Sequence, residues 1–211
     1  MKNRIVTSTI FLFLLFATVN TGLSQTILLG PRLTGNMNIY NQKGLTGTWN
    51  GIGIGIGGTL DVSFNKHIGI MANLTAFDMR NFSNSTTQNN TTSDESLTLS
   101  YLTIDPMFKL EFTGFYMVAG PSLAVKLASS GETTQTAAGQ NPQTATVQLD
   151  TKGITFSIAT GAGYTFTLSP GMYMGTDFLI YIPLSDTYNF PGTSNSVLSL
   201  KLGVSLKFSL M

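Results

Sequence analysis

The chain has no cysteine, which excludes disulfides, thiolate metal sites, cysteine nucleophiles and a lipid-modified N-terminal cysteine. Its single histidine, His67, leaves a serine triad or a histidine-based zinc site with almost nothing to draw on. Charge is scarce: Asp, Glu, Lys and Arg are 10% of the 211 residues, against about 25% in an ordinary soluble domain. The 11 basic and 10 acidic side chains sum to +1, so no nucleic-acid partner is expected. Beyond the N-terminal segment no apolar run is long enough for a membrane helix, and the exported chain either stays in water or crosses a membrane as a barrel.

The N-terminal segment has the layout of a targeting signal. Lys2 and Arg4 precede an apolar run from Ile10 to Val19, and Gly22 and Ser24 occupy the small-residue positions before a cut. Residues 1–24 read as a cleaved signal peptide, and residues 25–211 as the mature domain, which begins near Gln25. An uncleaved anchor would need roughly 20 apolar residues, and this run is shorter.

What fills the mature chain is alternation. The last segment sets Leu198, Leu200, Leu202, Val204, Leu206, Phe208 and Leu210 on one face, with Ser199, Lys201, Gly203, Ser205, Lys207 and Ser209 on the other. A period of two is the mark of a strand whose faces meet different surroundings. Residues 26–40, 49–64, 67–80, 97–112, 115–128, 153–168 and 172–184 read the same way. Asn65-Lys66, Thr113-Gly114 and Ser169-Pro170-Gly171 make short turns, whereas 41–48, 81–96, 129–152 and 185–196 read as long polar loops. Short turns at one end and long loops at the other predict an all-β fold, an eight-stranded antiparallel up-and-down transmembrane β-barrel. A soluble barrel would crowd its polar phase with Lys and Glu, and here that phase is mostly Gly, Ser, Thr and Asn.

Aromatic residues sharpen the membrane reading. Phe64, Phe112, Phe115, Phe166 and Phe208 fall beside the short turns or the C-terminus, and Tyr40, Trp49, Phe77 and Tyr101 near the long loops. They predict two lipid-facing rings, with the short turns in the periplasm and the long loops outside the cell.

The polar phase carries the candidate site. Arg32, Asp61, Asp105, Lys109, Glu111, Lys126, Asp177, Lys201 and Lys207 should point into the lumen, interleaved with Gly30, Thr34, Asn36, Asn73 and Tyr116. An eight-stranded barrel is only wide enough inside for side chains to fill it. Charges there must pair with one another, which predicts a polar plug; the sharper alternative is a narrow path for ions or solutes. Asp105 and Glu111 are too far apart, roughly 20 Å along a strand, to act as an acid–base pair. His67 sits beside a predicted turn, so no catalytic residue, metal or cofactor is expected. The Asn-x-Ser/Thr matches at Asn81, Asn84, Asn89 and Asn90 follow from a loop rich in Asn and Thr.

One motif points elsewhere. In "WNGIGIGIGG", Trp49 to Gly58, the residues Gly53, Gly55 and Gly58 spell the dinucleotide fingerprint G-x-G-x-x-G. That fingerprint needs a helix to follow, and instead Ile52, Ile54, Ile56, Leu60, Val62 and Phe64 carry one alternating face through it. Gly51, Gly53, Gly55 and Gly57 then face the lumen, where glycine makes room and lets the sheet bend.

Three stretches carry a family likeness. "SYLTIDPMFKLEF" (Ser100 to Phe112), "GFYMVAGPSLAVKL" (Gly114 to Leu127) and "ITFSIATGAGYTF" (Ile154 to Phe166) resemble strands of the outer-membrane β-barrel family common in Bacteroidota, which includes PorT-like proteins. The family's fourth strand usually runs Tyr-Leu-x-Ile-Pro, and here Asp105 separates Ile104 from Pro106. The resemblance implies a barrel in the bacterial outer membrane and, by analogy with PorT, a role in protein secretion. Expected partners are outer-membrane lipid and proteins met through the external loops or periplasmic turns. The expected function is structural or interaction-based, with a small channel and a membrane-embedded enzyme as rivals.

Overall fold

The computed structural model describes residues 26–42, 49–88, 91–137, 139–147, 150–188 and 195–210. The expected signal peptide lies outside the described residues, as do 43–48 and 189–194 of the expected loops. The strands are β1 (Thr26–Gln42), β2 (Trp49–Ser63), β3 (Ile68–Gln88), β4 (Thr91–Phe112), β5 (Phe115–Ala137), β6 (Gln143–Val147), β7 (Ile154–Ser169), β8 (Met172–Pro183) and β9 (Asn195–Ser209). All neighbours are antiparallel, and the pairings β4–β5 and β1–β9 close every strand but β6 into a ring. β6 pairs with β5 beyond the ring.

β6 is a strand that the alternating pattern did not predict, and the hairpins around it correct the loop reading of 81–96 and 129–152. β3 and β4 stay paired out to Gln88 and Thr91, and β5 runs on to Ala137. The reason is that water lies on both faces there, so pairing needs no apolar alternation. Threonine fits a strand, and cross-strand hydroxyls meet at Thr87–Thr92 (3.1 Å) and Thr134–Thr144 (3.0 Å).

At the opposite end the turns are tight. Thr113 and Gly114 both take positive φ, 51° and 88°, the backbone that a two-residue hairpin between Phe112 and Phe115 requires. Between β2 and β3 the Asn65 side-chain oxygen accepts from the His67 and Ile68 backbone N–H groups at 2.8 and 2.9 Å, an Asx turn.

The exterior is apolar. Leu33, Ile52, Ile54, Phe77, Phe108, Phe156, Leu202 and Val204 are all exposed, as a lipid-facing wall requires. Phe112, Phe115, Phe166 and Phe208 join that wall at the turn end. At the hairpin end the expected ring is only partly present. Phe77 faces out, but Tyr40 and Tyr101 are buried inside and Trp49 packs against the same interior cluster. Tyr40 sits in the same inward phase as Arg32 and Asn36, and Tyr101 in that of Thr103 and Asp105. Their nearness to the loops said nothing about their face.

Two irregularities set these phases. Ile56 pairs with Phe77 but Gly57 pairs with Thr75, so Ala76 is an extra residue and β3 changes face there. Ser100 pairs with Ala128 and Tyr101 with Lys126, leaving Leu127 extra on β5.

Candidate functional site: the packed interior

Inward side chains stack in layers along the barrel. At the turn end Asp61 lies between two lysines, with Lys109 Nζ 2.6 Å from Oδ1 and Lys207 Nζ donating to Oδ2 at 2.8 Å. Lys109 also reaches Glu111 at 2.6 Å, and Glu111 is the most solvated member, with 24% of its side chain exposed. The Tyr116 ring lies 5.7 Å from Lys109 and 5.5 Å from Lys207, within cation–π reach of both.

In the middle Arg32 and Asp177 form a buried pair between β1 and β8. A Cβ on Gly203 of β9 would lie 2.3 Å from Arg32 Nη2 and 2.6 Å from Asp177 Oδ1. Glycine is thus the residue that lets the pair form across that strand. Asp105 accepts from Ser122 Oγ at 2.6 Å and from Tyr181 Oη at 2.7 Å, and Lys201 lies 4.3 Å from the centre of the Tyr181 ring.

Toward the hairpins the centre is Asp78. Its Oδ2 accepts from Lys201 Nζ at 2.8 Å, from Arg80 Nη2 and Nε at 2.8 and 3.1 Å, and from Thr103 Oγ1 at 3.0 Å. Its Oδ1 accepts from Asn36 Nδ2 at 3.1 Å. Asn38 donates to Asn36 and accepts from Ser199 Oγ at 2.7 Å, which extends the network from β3 across β1 to β9. Arg80 lies 4.7 Å from the Tyr101 ring centre.

Above this layer sits an apolar cap of Tyr40, Phe82, Leu97, Leu99, Tyr101, Val197 and Tyr188. Tyr188 meets Tyr40 edge-on at 5.3 Å. It is carried by the segment after β8, which bridges to Thr151 and is held by Asn195, whose side-chain oxygen accepts from the Thr187 and Tyr188 backbone N–H groups at 3.0 and 2.7 Å. Burial pushes the Tyr188 phenol well above its ordinary range. Lys126 fastens the other side of the mouth, donating to Thr151 O and Oγ1 at 2.8 Å each.

Each expected lumen residue therefore has a place. Lys109, Lys207, Asp61 and Glu111 form one cluster, Arg32 and Asp177 a pair, Asp105 a hydrogen-bonded acid, and Lys201 a partner of Asp78. Lys126 stands apart at the mouth. The periodicity missed Asp78 and Arg80, the centre of the largest cluster. Asn73 is in the polar phase and Phe77 in the apolar phase although both are odd-numbered; this conflict of parity was the available signal of the bulge at Ala76.

The arrangement balances charge and buries its central groups. Arg32, Arg80, Lys109, Lys201 and Lys207 face Asp61, Asp78, Asp105, Asp177 and Glu111, and Asp78, Asp105 and Lys201 are 0% exposed. Buried charges of this kind persist only when paired and hydrogen-bonded. His67 lies outside, exposed in its turn, with Nδ1 3.1 Å from the Glu111 carbonyl oxygen. Among the described residues no group of His, Asp and Glu is placed to hold a metal ion.

The glycine stretch also finds its place. A Cβ on Gly55 would lie 2.5 Å from Thr34 Oγ1 and 2.7 Å from Thr75 Cγ2. On Gly51, Gly53 or Gly57 it would lie 1.7–1.8 Å from a backbone carbonyl oxygen of β3. These glycines let β3 fold in over β2, the sharp curl that a narrow barrel needs.

A closed antiparallel ring, apolar outside and filled inside by charged and polar side chains, defines a transmembrane β-barrel of the outer-membrane kind. The chain belongs to the outer membrane protein beta-barrel domain family, whose sequence profile matches residues 9–208. Its location is accordingly the bacterial outer membrane. No curated protein matches the chain in sequence. Among solved structures it is similar to Ail, the attachment invasion locus protein of Yersinia pestis, solved in complex with the heparin analogue sucrose octasulfate, at 12% identity and a TM-score of 0.40 over 86% of this chain and 99% of that one. It is similar also to Neisserial surface protein A, at 12% identity and a TM-score of 0.41 over 87% of this chain and 99% of that one. OprG from Pseudomonas aeruginosa shows 11% identity and a TM-score of 0.41 over 90% of this chain and 98% of that one.

Proposed function

We propose that this protein is a closed, non-conducting and non-enzymatic barrel that holds a polar sheet outside the cell for contact with a partner. The short turns face the periplasm in this reading, and a cleaved signal peptide delivers the chain. The observation that carries it is the interior, where paired charges and an apolar cap leave water no access to Asp78, Asp105 or Lys201. Strand length supports the rest. β3, β4 and β5 have 21, 22 and 23 residues, about twice the 9–11 that span a bilayer, and their excess is the Thr- and Ser-rich sheet completed by β6.

Planar-bilayer recording on refolded protein tests the closed interior: the expected result is no sustained single-channel current, and a steady current would favour the rival channel. Pull-down from detergent-extracted outer membrane tests the partner. The PorT-like resemblance adds protein-export machinery as a specific candidate there. In that case deletion of the gene leaves exported cargo in the periplasm, and normal export counts against it.

A further inference from the structure

The inward fold of β3 over Gly51 and Gly53 has an external counterpart. On the outer wall a cleft of about 320 Å³ lies at this place, lined by Met37, Asn50, Ile52, Asn81 and Ser83, with Gly51 and Phe82 at its back. The ladder pairs Met37 with Ile52 and, one outward row closer to the hairpins, Ile39 with Asn50, which in turn faces Ser83. The cleft therefore straddles the edge of the lipid-facing band. Its lower wall is the apolar Met37 and Ile52, continuous with the exposed Leu33, Ile54 and Ile56 below. Its upper wall is amide and hydroxyl, and the Asn81 carboxamide oxygen is buried there without a hydrogen-bond partner. Among the described residues no charged side chain lines it.

We infer that this cleft is a binding site for an acylated sugar lipid of the leaflet next to the hairpins. An acyl chain seats on Met37 and Ile52, where the wall is already in contact with lipid. The head group meets Asn50, Asn81 and Ser83, which offer both donors and acceptors to sugar hydroxyls and amides. A described lining without cations suits hydroxyl and amide groups better than a phosphate. The site is independent of whether the barrel interior conducts.

The test uses the folded full-length barrel in detergent, titrated with the phosphate-free glycolipid monogalactosyldiacylglycerol and, separately, with dioleoylphosphatidylethanolamine, and read by native mass spectrometry. One glycolipid is expected to stay bound under activation that strips the phospholipid. Ile52→Trp, which fills the cleft from a position 75% exposed, should weaken that binding roughly tenfold or more. Ile54→Trp, at a neighbouring position 68% exposed and outside the lining, should leave it unchanged, so a loss confined to Ile52→Trp is not a folding defect. Asn81→Leu should weaken binding as well. Equal retention by Ile52→Trp and the unaltered chain, or tighter retention of the phospholipid, overturns the assignment.

Discussion

Replacing Asp78 with alanine should cost more stability than any other single loss of an interior acid. The carboxylate is fully buried and takes hydrogen bonds from Lys201, Arg80, Thr103 and Asn36. Without it, Lys201 keeps the Tyr181 ring at 4.3 Å and the more distant negative charge of Asp105, and Arg80 the Tyr101 ring at 4.7 Å, as stabilising contacts of their charge. Removing one partner of a buried ion pair costs about 3–5 kcal/mol, because the other charge stays buried. With a urea m-value of roughly 2 kcal/mol/M, that lowers the unfolding midpoint by about 2 M. Trp49, the single tryptophan, packs against the apolar cap and reports unfolding of protein refolded in lipid vesicles. Glu132→Ala, at an exposed position of β5, serves as the control. The combined variant Asp78→Leu, Arg80→Met, Lys201→Met removes the charges together and should recover most of the loss. If Asp78→Ala unfolds at the same urea concentration as Glu132→Ala, the carboxylate does not hold the two cations and the layered interior is wrong.

Other substitutions probe separate parts of the structure. Gly203→Ala places a Cβ against Arg32 and Asp177, and by separating that pair should cost about 2 kcal/mol or more in the same urea assay; an unchanged midpoint would contradict the geometry. Gly55→Leu collides with Thr34 and Thr75 and should sharply reduce the folded fraction seen as heat-modifiable mobility on gels, with no change in nucleotide affinity. Leu33→Arg, at an outward position 60% exposed, should destabilise the barrel by about 2–4 kcal/mol in vesicles if Leu33 lies near the bilayer midplane. The same change on a water-facing surface would cost within about 0.5 kcal/mol, so a negligible effect would place that wall in water.

The architecture was legible because lipid outside and charge inside impose a period of two on every spanning strand. β9 shows it without a slip, from Val197 to Phe208. The same logic marks the inward glycines of β2 and the polar phase that carries the expected charges, Lys126 lying at the mouth, because a polar residue in the polar phase has only one direction to point. It failed where the phase shifts. The extra residue at Ala76 turns Asp78 and Arg80 inward, and strict counting hides both. It failed also beyond the membrane, where residues 86–88, 91–95 and 133–136 are polar on both faces and strand pairing leaves no contrast to read. Tyr40 and Tyr101 were misjudged because height along a strand and direction across it are separate properties, and only the register fixes the second.

Accessibility of the interior to water tests the central claim most directly, and the absence of native cysteine makes the measurement clean. Single cysteines at Thr103 and Ser199, both 0% exposed inside the ring, and at Thr144 on the exposed β6 can be challenged with a charged, water-soluble thiol reagent in the folded state. The closed barrel predicts rapid modification at position 144 and none at 103 or 199 until the protein is unfolded. Modification of all three at similar rates in the folded protein would show an open, water-filled lumen and contradict the account.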